Sequence, residues 1–86
     1  MNYEAKIKSF ELRENDPMVH SDLYLWVVLK KTNEEIHFIE KDSIENLRCK
    51  FEFKILGMHS YDFTGFTGKE CIISEEEDGY HFISFK

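Results

Sequence analysis

Eighty-six residues make a single globular domain, 1–86, below the length at which chains divide. Eleven Lys and Arg against seventeen Asp and Glu give a formal charge of −6, which weighs against a basic, sequence-independent nucleic-acid binder. Aromatics at 15% with a single proline exclude a disordered tail, and two cysteines are too few for a secreted disulfide scaffold.

The first segment, residues 3–12, changes phase. Tyr3, Ala5 and Ile7 alternate in one register and Phe10 and Leu12 in the other. One extra residue does this to a strand, so a β-bulge or bend is expected near Ser9. Residues 13–21 are polar, contain Asn15-Asp16-Pro17, and read as a loop. Residues 22–30 form the strongest strand. Leu23, Leu25, Val27 and Leu29 lie on one face and Tyr24, Trp26 and Val28 on the other, so both faces are apolar and the strand belongs inside the sheet. The apolar run 23–29 is far shorter than the about twenty residues of a membrane span. The first residues lack the apolar core of a secretory signal, which predicts a cytoplasmic protein with no membrane partner. A tight turn at 31–34 leads into a strand over 35–40 with Ile36 and Phe38 on one face.

Residues 42–57 carry two patterns. As a helix, Asp42 would cap with Glu45 as its capping-box partner, Ile44, Leu47, Phe51 and Ile55 would make the apolar stripe, and Gly57 would take the left-handed position after the end. As a strand, Cys49, Phe51, Phe53 and Ile55 alternate with Lys50, Glu52 and Lys54. The caps explain more residues, so the segment is read as helix. Residues 58–68 are a glycine-containing loop with a duplication, Phe63-Thr64-Gly65 then Phe66-Thr67-Gly68. Residues 69–75 are a strand, 76–79 an acidic turn, and 80–86 a closing strand with His81, Ile83 and Phe85 opposite Tyr80 and Phe82.

The fold class is therefore α+β. Five strands and one helix in the order β-β-β-α-β-β suggest a small antiparallel barrel with the chain order of an OB-fold. An all-β barrel or sandwich is the alternative if 48–56 is a strand. The stretch Ile55-Leu56-Gly57-Met58-His59-Ser60-Tyr61-Asp62, followed by Gly68-Lys69-Glu70-Cys71-Ile72-Ile73, resembles a segment of certain short phage-encoded β-rich proteins. There a helix ending in a Leu-Gly-Val type sequence leads to Ser-Trp-Glu and then to a Gly-Lys that opens a strand. The resemblance implies a helix ending at Gly57 and a phage or mobile-element source, and it implies no catalytic residues.

Catalytic signatures are missing. Gly65-Phe66-Thr67-Gly68-Lys69 has too few residues between its glycines for a phosphate loop and precedes a strand. There is no Gly-x-Ser-x-Gly elbow, and Ser60 beside His59 is adjacency in sequence alone. His20, His37, His59 and His81 lack paired spacing; a zinc site would need His37 or His81 to meet Cys49 or Cys71 by packing, and no metal or other cofactor is expected. Both cysteines sit in alternating stretches and read as reduced, partly buried thiols.

A non-enzymatic acidic binding module follows, with a protein partner. Its acids group in two stretches: Glu34, Glu35, Glu40, Asp42 and Glu45, then Glu75, Glu76, Glu77 and Asp78. Carboxylates so placed suit a basic groove on a partner, as in an inhibitor of a host nuclease or defence complex. The alternative is an OB-like single-strand binder, with Tyr24, Trp26, Tyr80 and Phe82 stacking bases and Lys6, Lys8, Lys30, Lys31 and Lys41 supplying charge. A second alternative is a structural subunit that assembles through the edge at Tyr80 to Lys86.

Overall fold

The computed structural model describes residues 1–16 and 20–86. Its elements are β1 (Asn2–Asp16), β2 (His20–Leu29), β3 (Glu35–Asp42), α1 (Ile44–Phe51), β4 (Lys54–Gly57), β5 (Ser60–Asp62), β6 (Glu70–Glu76) and β7 (Gly79–Phe85). Five of the seven strands form one antiparallel sheet in the order β3-β2-β1-β6-β7, and β4 and β5 form a separate hairpin. The molecule is thus mostly antiparallel β with one helix, and its main sheet is not closed by a backbone ladder.

The bulge lies where the phase change put it. Ile7 faces Val27 and Ser9 faces Trp26 across β1 and β2, leaving Lys8 unmatched. The extra residue turns both apolar sets inward: Ala5 and Ile7 are buried before it, and Phe10 and Leu12 pack on the core after it. It also frees the far edge of β1, which pairs with β6 only over its first residues. Beyond them the loop takes over: Ile7 N donates to Lys69 O at 3.0 Å and Gly68 N to Ile7 O at 2.7 Å. The expected 13–21 loop is a correction at both ends. β1 continues to Asp16 and β2 begins at His20, while residues 17–19 lie outside the described ones. β2 is an interior strand as its two apolar faces required, flanked by β1 and β3.

The contested segment divides. Ser43, not Asp42, is the N-cap, its Oγ accepting from Asn46 N at 3.2 Å. Asp42 supports the cap from outside by accepting from Ser43 N at 2.8 Å and Asn46 Nδ2 at 2.9 Å. The helix stops at Phe51, and Glu52 adopts the left-handed conformation (φ 58°) expected at Gly57. Gly57 instead ends β4, and the left-handed residue that closes the helix lies five positions earlier than expected. Two phenylalanines supply the reason. Phe51 is 0% exposed and Phe53 4%. Residues two apart on a helix point to opposite sides, so both reach one core only if the helix breaks between them. Ile55, expected on the apolar stripe, is instead exposed on β4.

The closing strand also holds a bulge. Ile72 faces Ser84 and Ile73 faces Phe82, which leaves Ile83 unmatched and 50% exposed. Phe82 and Phe85 therefore turn to the same side, against the expected alternation. They join an aromatic core in which Phe51 lies 4.4 Å from Phe82, Phe53 4.3 Å from Phe63, and Phe10 4.8 Å from Phe66. The Phe-Thr-Gly duplication is the floor of that core. Gly65 and Gly68 (φ 78° and 88°) turn the chain so that both Phe63 and Phe66 point inward.

The two outer strands of the sheet, β3 and β7, approach each other. Where a backbone carbonyl would sit in a closed barrel, the Glu40 side chain accepts from Phe82 N at 2.7 Å. Lys50 from α1 lies 3.5 Å from the same carboxylate. The edge at residues 80–86, expected to pair two copies, is turned toward β3 at this contact.

Candidate binding face

Register and parity place a grid on the outer side of β1, β2 and β3. Lys6, Val28 and Glu35 form one row; Ser9, Trp26 and His37 the next; then Glu11, Tyr24 and Ile39; then Arg13, Asp22 and Lys41. These positions alternate with the buried set Leu23, Leu25, Val27, Ile36 and Phe38, so the core fixes which residues look outward. At the centre three rings lie nearly parallel. His37 stacks on Trp26 at 4.5 Å and 21°, and on Tyr24 at 6.2 Å and 16°. The Arg13 guanidinium sits over the far side of this group, 4.7 Å from the Tyr24 ring centre. Ser9 lies opposite Trp26, whose indole is half-buried.

Counting Lys8 in the bulge, this face carries four cations and three carboxylates, a formal excess of one positive charge on a chain of −6. Glu35 is held by Lys8 at 2.9 Å and Glu11 by Arg13 at 2.5 Å. Asp22 is buried and accepts from Asn15. Lys6 and Lys41 make no ion pair among the described residues. A cleft of about 180 Å³ between Lys6, Val28 and Asn33 continues the face past Val28.

The acids are dispersed and mostly engaged. In the first stretch, Glu35 lies on the outer face, Glu40 in the gap between β3 and β7, Asp42 at the helix cap, and Glu45 on α1 bound to Arg48. Glu34 is in the turn, its backbone carbonyl accepting from Leu29 N at 2.9 Å. Asn46 and the Ser43 amide hold the Asp42 carboxyl below its usual range. The second stretch does stay together. Glu75 accepts from Tyr3 Oη at 2.8 Å and Tyr80 Oη at 3.1 Å, and these bonds raise both phenols. Glu76 accepts from Ser74 Oγ at 2.5 Å, and Asp78 lies 2.8 Å from His81 Nε2, which lowers the acid and raises the imidazole. Only Glu77 of the four has no side-chain partner among the described residues.

Of the four aromatics expected to stack bases, Tyr24 and Trp26 are on the outer face. Phe82 is a correction: at 4% exposed it belongs to the core, because the Ile83 bulge turns it inward. Tyr80 packs against the core with its hydroxyl on Glu75. Lys30 is likewise diverted, paired with Glu70 at 2.5 Å. His37 and Arg13 enter the face unforeseen. A 31–34 turn would set Val28 opposite His37, whereas the observed register, shifted by two, sets Trp26 there. Arg13 was hidden by reading 13–21 as loop.

No group of three or more His, Cys, Asp or Glu placed to hold a metal occurs among the described residues. Cys71 is buried, which pushes its thiol up to about 11, whereas Cys49 is exposed on α1, against the expectation of two partly buried thiols. One further cluster stands apart. Glu14 on β1 accepts from Tyr61 Oη and lies 2.5 Å from His59 Nδ1, tying the β4–β5 hairpin to the sheet. These partners hold Glu14 below the usual carboxylate range, and burial with the Glu14 bond pushes Tyr61 up to about 12. Comparison with family models, curated proteins and solved structures returns no match for this chain. Among the described residues no helix is long and apolar enough to cross a membrane.

Proposed function

We propose that the protein is a non-enzymatic binding module that holds single-stranded nucleic acid across the outer face of β1, β2 and β3. The observation that carries this reading is the ring group Tyr24–His37–Trp26 set among Lys6, Lys8, Arg13 and Lys41. Aromatic platforms flanked by cations stack bases and track phosphates without sequence preference. An OB-like reading of the sheet supports it. With the β4–β5 hairpin taken as an insertion after α1, the chain order is β-β-β-α-β-β, and the sheet order brings β3 to β7 at the Glu40–Phe82 contact. OB-folds bind oligonucleotides on the face of their second and third strands. The acids, being bonded to their own neighbours, compete less for the role than their number suggests.

Trp26 is the single tryptophan, so intrinsic fluorescence reports this face alone. Titration with oligothymidylate at low salt is expected to quench it with micromolar or tighter affinity, weakening steeply as salt rises. Trp26→Ala should cost about 1–3 kcal/mol of binding, the range for one base–aromatic stack. Unchanged emission together with no shift in the anisotropy of a labelled oligonucleotide would remove the reading.

A protein partner is the second reading, and the Glu75–Asp78 turn favours it. Four consecutive acids at a hairpin tip, with Glu77 unengaged, suit electrostatic steering onto a basic groove. An inhibitor of a nuclease or defence complex is the form this takes if the chain is of phage or mobile-element origin. Glu77→Lys is the clean probe, because the other three hold local structure. Unaltered capture of a partner by that variant would dismiss the hairpin as the contact.

A further inference from the structure

We propose that His37 is a proton-controlled contact on this face, strengthening the hold on a phosphate when its ring is charged. The inference rests on the single-strand reading above and concerns how that same site is regulated. His37 Nδ1 lies 3.1 Å from the carbonyl oxygen of Leu25 on the neighbouring strand. A carbonyl only accepts, so Nδ1 carries the hydrogen. On the neutral ring Nε2 is then an acceptor, and it meets a phosphate oxygen as lone pair against lone pair. Protonation converts Nε2 into a donor and adds a unit of positive charge. The Leu25 bond survives unchanged, so the ring needs no rearrangement to switch.

The surroundings let that charge be felt by a ligand. On β3 itself Glu35 and Lys41 share the face, on β2 Tyr24 and the buried Asp22, which accepts from Asn15, and on β1 Lys6, Lys8, Glu11 and Arg13. Both exposed carboxylates among them are already paired, Glu35 with Lys8 and Glu11 with Arg13. From the other side β7 contributes His81, bound to Asp78, and α1 contributes Lys50, held at Glu40. A phosphate is therefore the unpaired anion that a charged His37 would meet. Stacked on Trp26, the charged ring also has cation–π geometry, which keeps it in place while a base stacks on the same group.

The test is anisotropy of labelled oligothymidylate with the full chain at about pH 5.5 and at about pH 7.5. Each pH is run as a salt series. Binding is expected to be several-fold tighter at the lower pH. The slope of log K against log salt should be steeper there by about 0.7, the increment for one more neutralised phosphate on a single strand. His37→Gln should abolish both differences between the two pH values, and the loss of one stacked ring should weaken its binding at both. His37→Lys should bind at pH 7.5 with the parent's low-pH slope, and His81→Gln should retain the parent's pH dependence. Equal affinity and slope at both pH values, or pH dependence that persists in His37→Gln, would overturn the switch and leave the single-strand reading standing. Absence of binding at either pH and low salt would overturn that reading itself.

Discussion

Replacing Glu40 tests how the gap between β3 and β7 is held. Its carboxylate is 14% exposed and accepts from Phe82 N at 2.7 Å, a charge-assisted bond from a side chain to an edge-strand amide. Bonds of this kind contribute about 1.5–3 kcal/mol, and removing the acceptor also leaves a partly buried N–H unpaired. The Lys50 pair adds little, being longer, at 3.5 Å, and 41% exposed on the lysine side. Glu40→Ala should therefore lose about 2–3 kcal/mol, and Glu40→Gln, which keeps an acceptor without the charge, about 1 kcal/mol. In a domain this size each kcal/mol moves the melting temperature by about 4–8 °C, so the alanine variant should melt at least about 8 °C lower. Urea unfolding gives the free energies, and amide exchange gives the location. Protection at Phe82 should fall in Glu40→Ala before protection at Leu25 or Val27 does. A variant within about 0.5 kcal/mol of the parent, with Phe82 still protected, would show that side-chain closure of the gap is not what holds the two edges together.

Three further outcomes are expected. Glu14, lowered chiefly by the Tyr61 hydroxyl and then by His59, stabilises the fold above the ordinary carboxylate range and stops doing so as pH falls through its depressed value. Acid titration of stability should accordingly be shallower for Glu14→Gln below about pH 4.5, and identical slopes would contradict the assignment. Native protein should react with one equivalent of a thiol reagent, at Cys49, and with a second only on unfolding, at buried Cys71; two rapid equivalents would be inconsistent with the packing. Phe51→Ala, emptying the centre of the aromatic cluster, should cost about 3–5 kcal/mol in thermal unfolding, whereas a loss under 1 kcal/mol would mean that the core had been misread.

The parts legible beforehand were those written in neighbouring residues. The Lys8 bulge announced itself because the apolar set changed phase within ten positions, and β2 because both its faces were apolar. The helix start was visible to within one residue, since Asp42 and Ser43 both accept from Asn46 in the first turn. The break at Glu52 was not visible: Lys50, Glu52 and Lys54 fit either period, and only the shared destination of Phe51 and Phe53 decides. The Ile83 bulge was hidden by a local alternation without flaw. Its origin is the register with β6, which no window along residues 80–86 contains. The site divides in the same way. Tyr24 and Trp26 follow from strand parity, while His37 depends on the register of β2 with β3, Arg13 on β1 continuing to Asp16, and the removal of Phe82 on the register with β6.

The order of the sheet has a consequence for synthesis. β1 is its middle member although it precedes the other six strands described, and the side of β1 that β6 covers waits for residues 70–76. The β1-β2-β3 meander, which carries the whole ring-and-cation face from Lys6 to Lys41, assembles from near neighbours. Its far edge stays unpaired until β6 is made, while α1 is the first element after β3 to pack against its inner face. The outer face of the meander can therefore form before the sheet is complete, and for that interval an unpaired strand edge is open to any other chain. A ligand that engages the growing meander would act as its own folding partner.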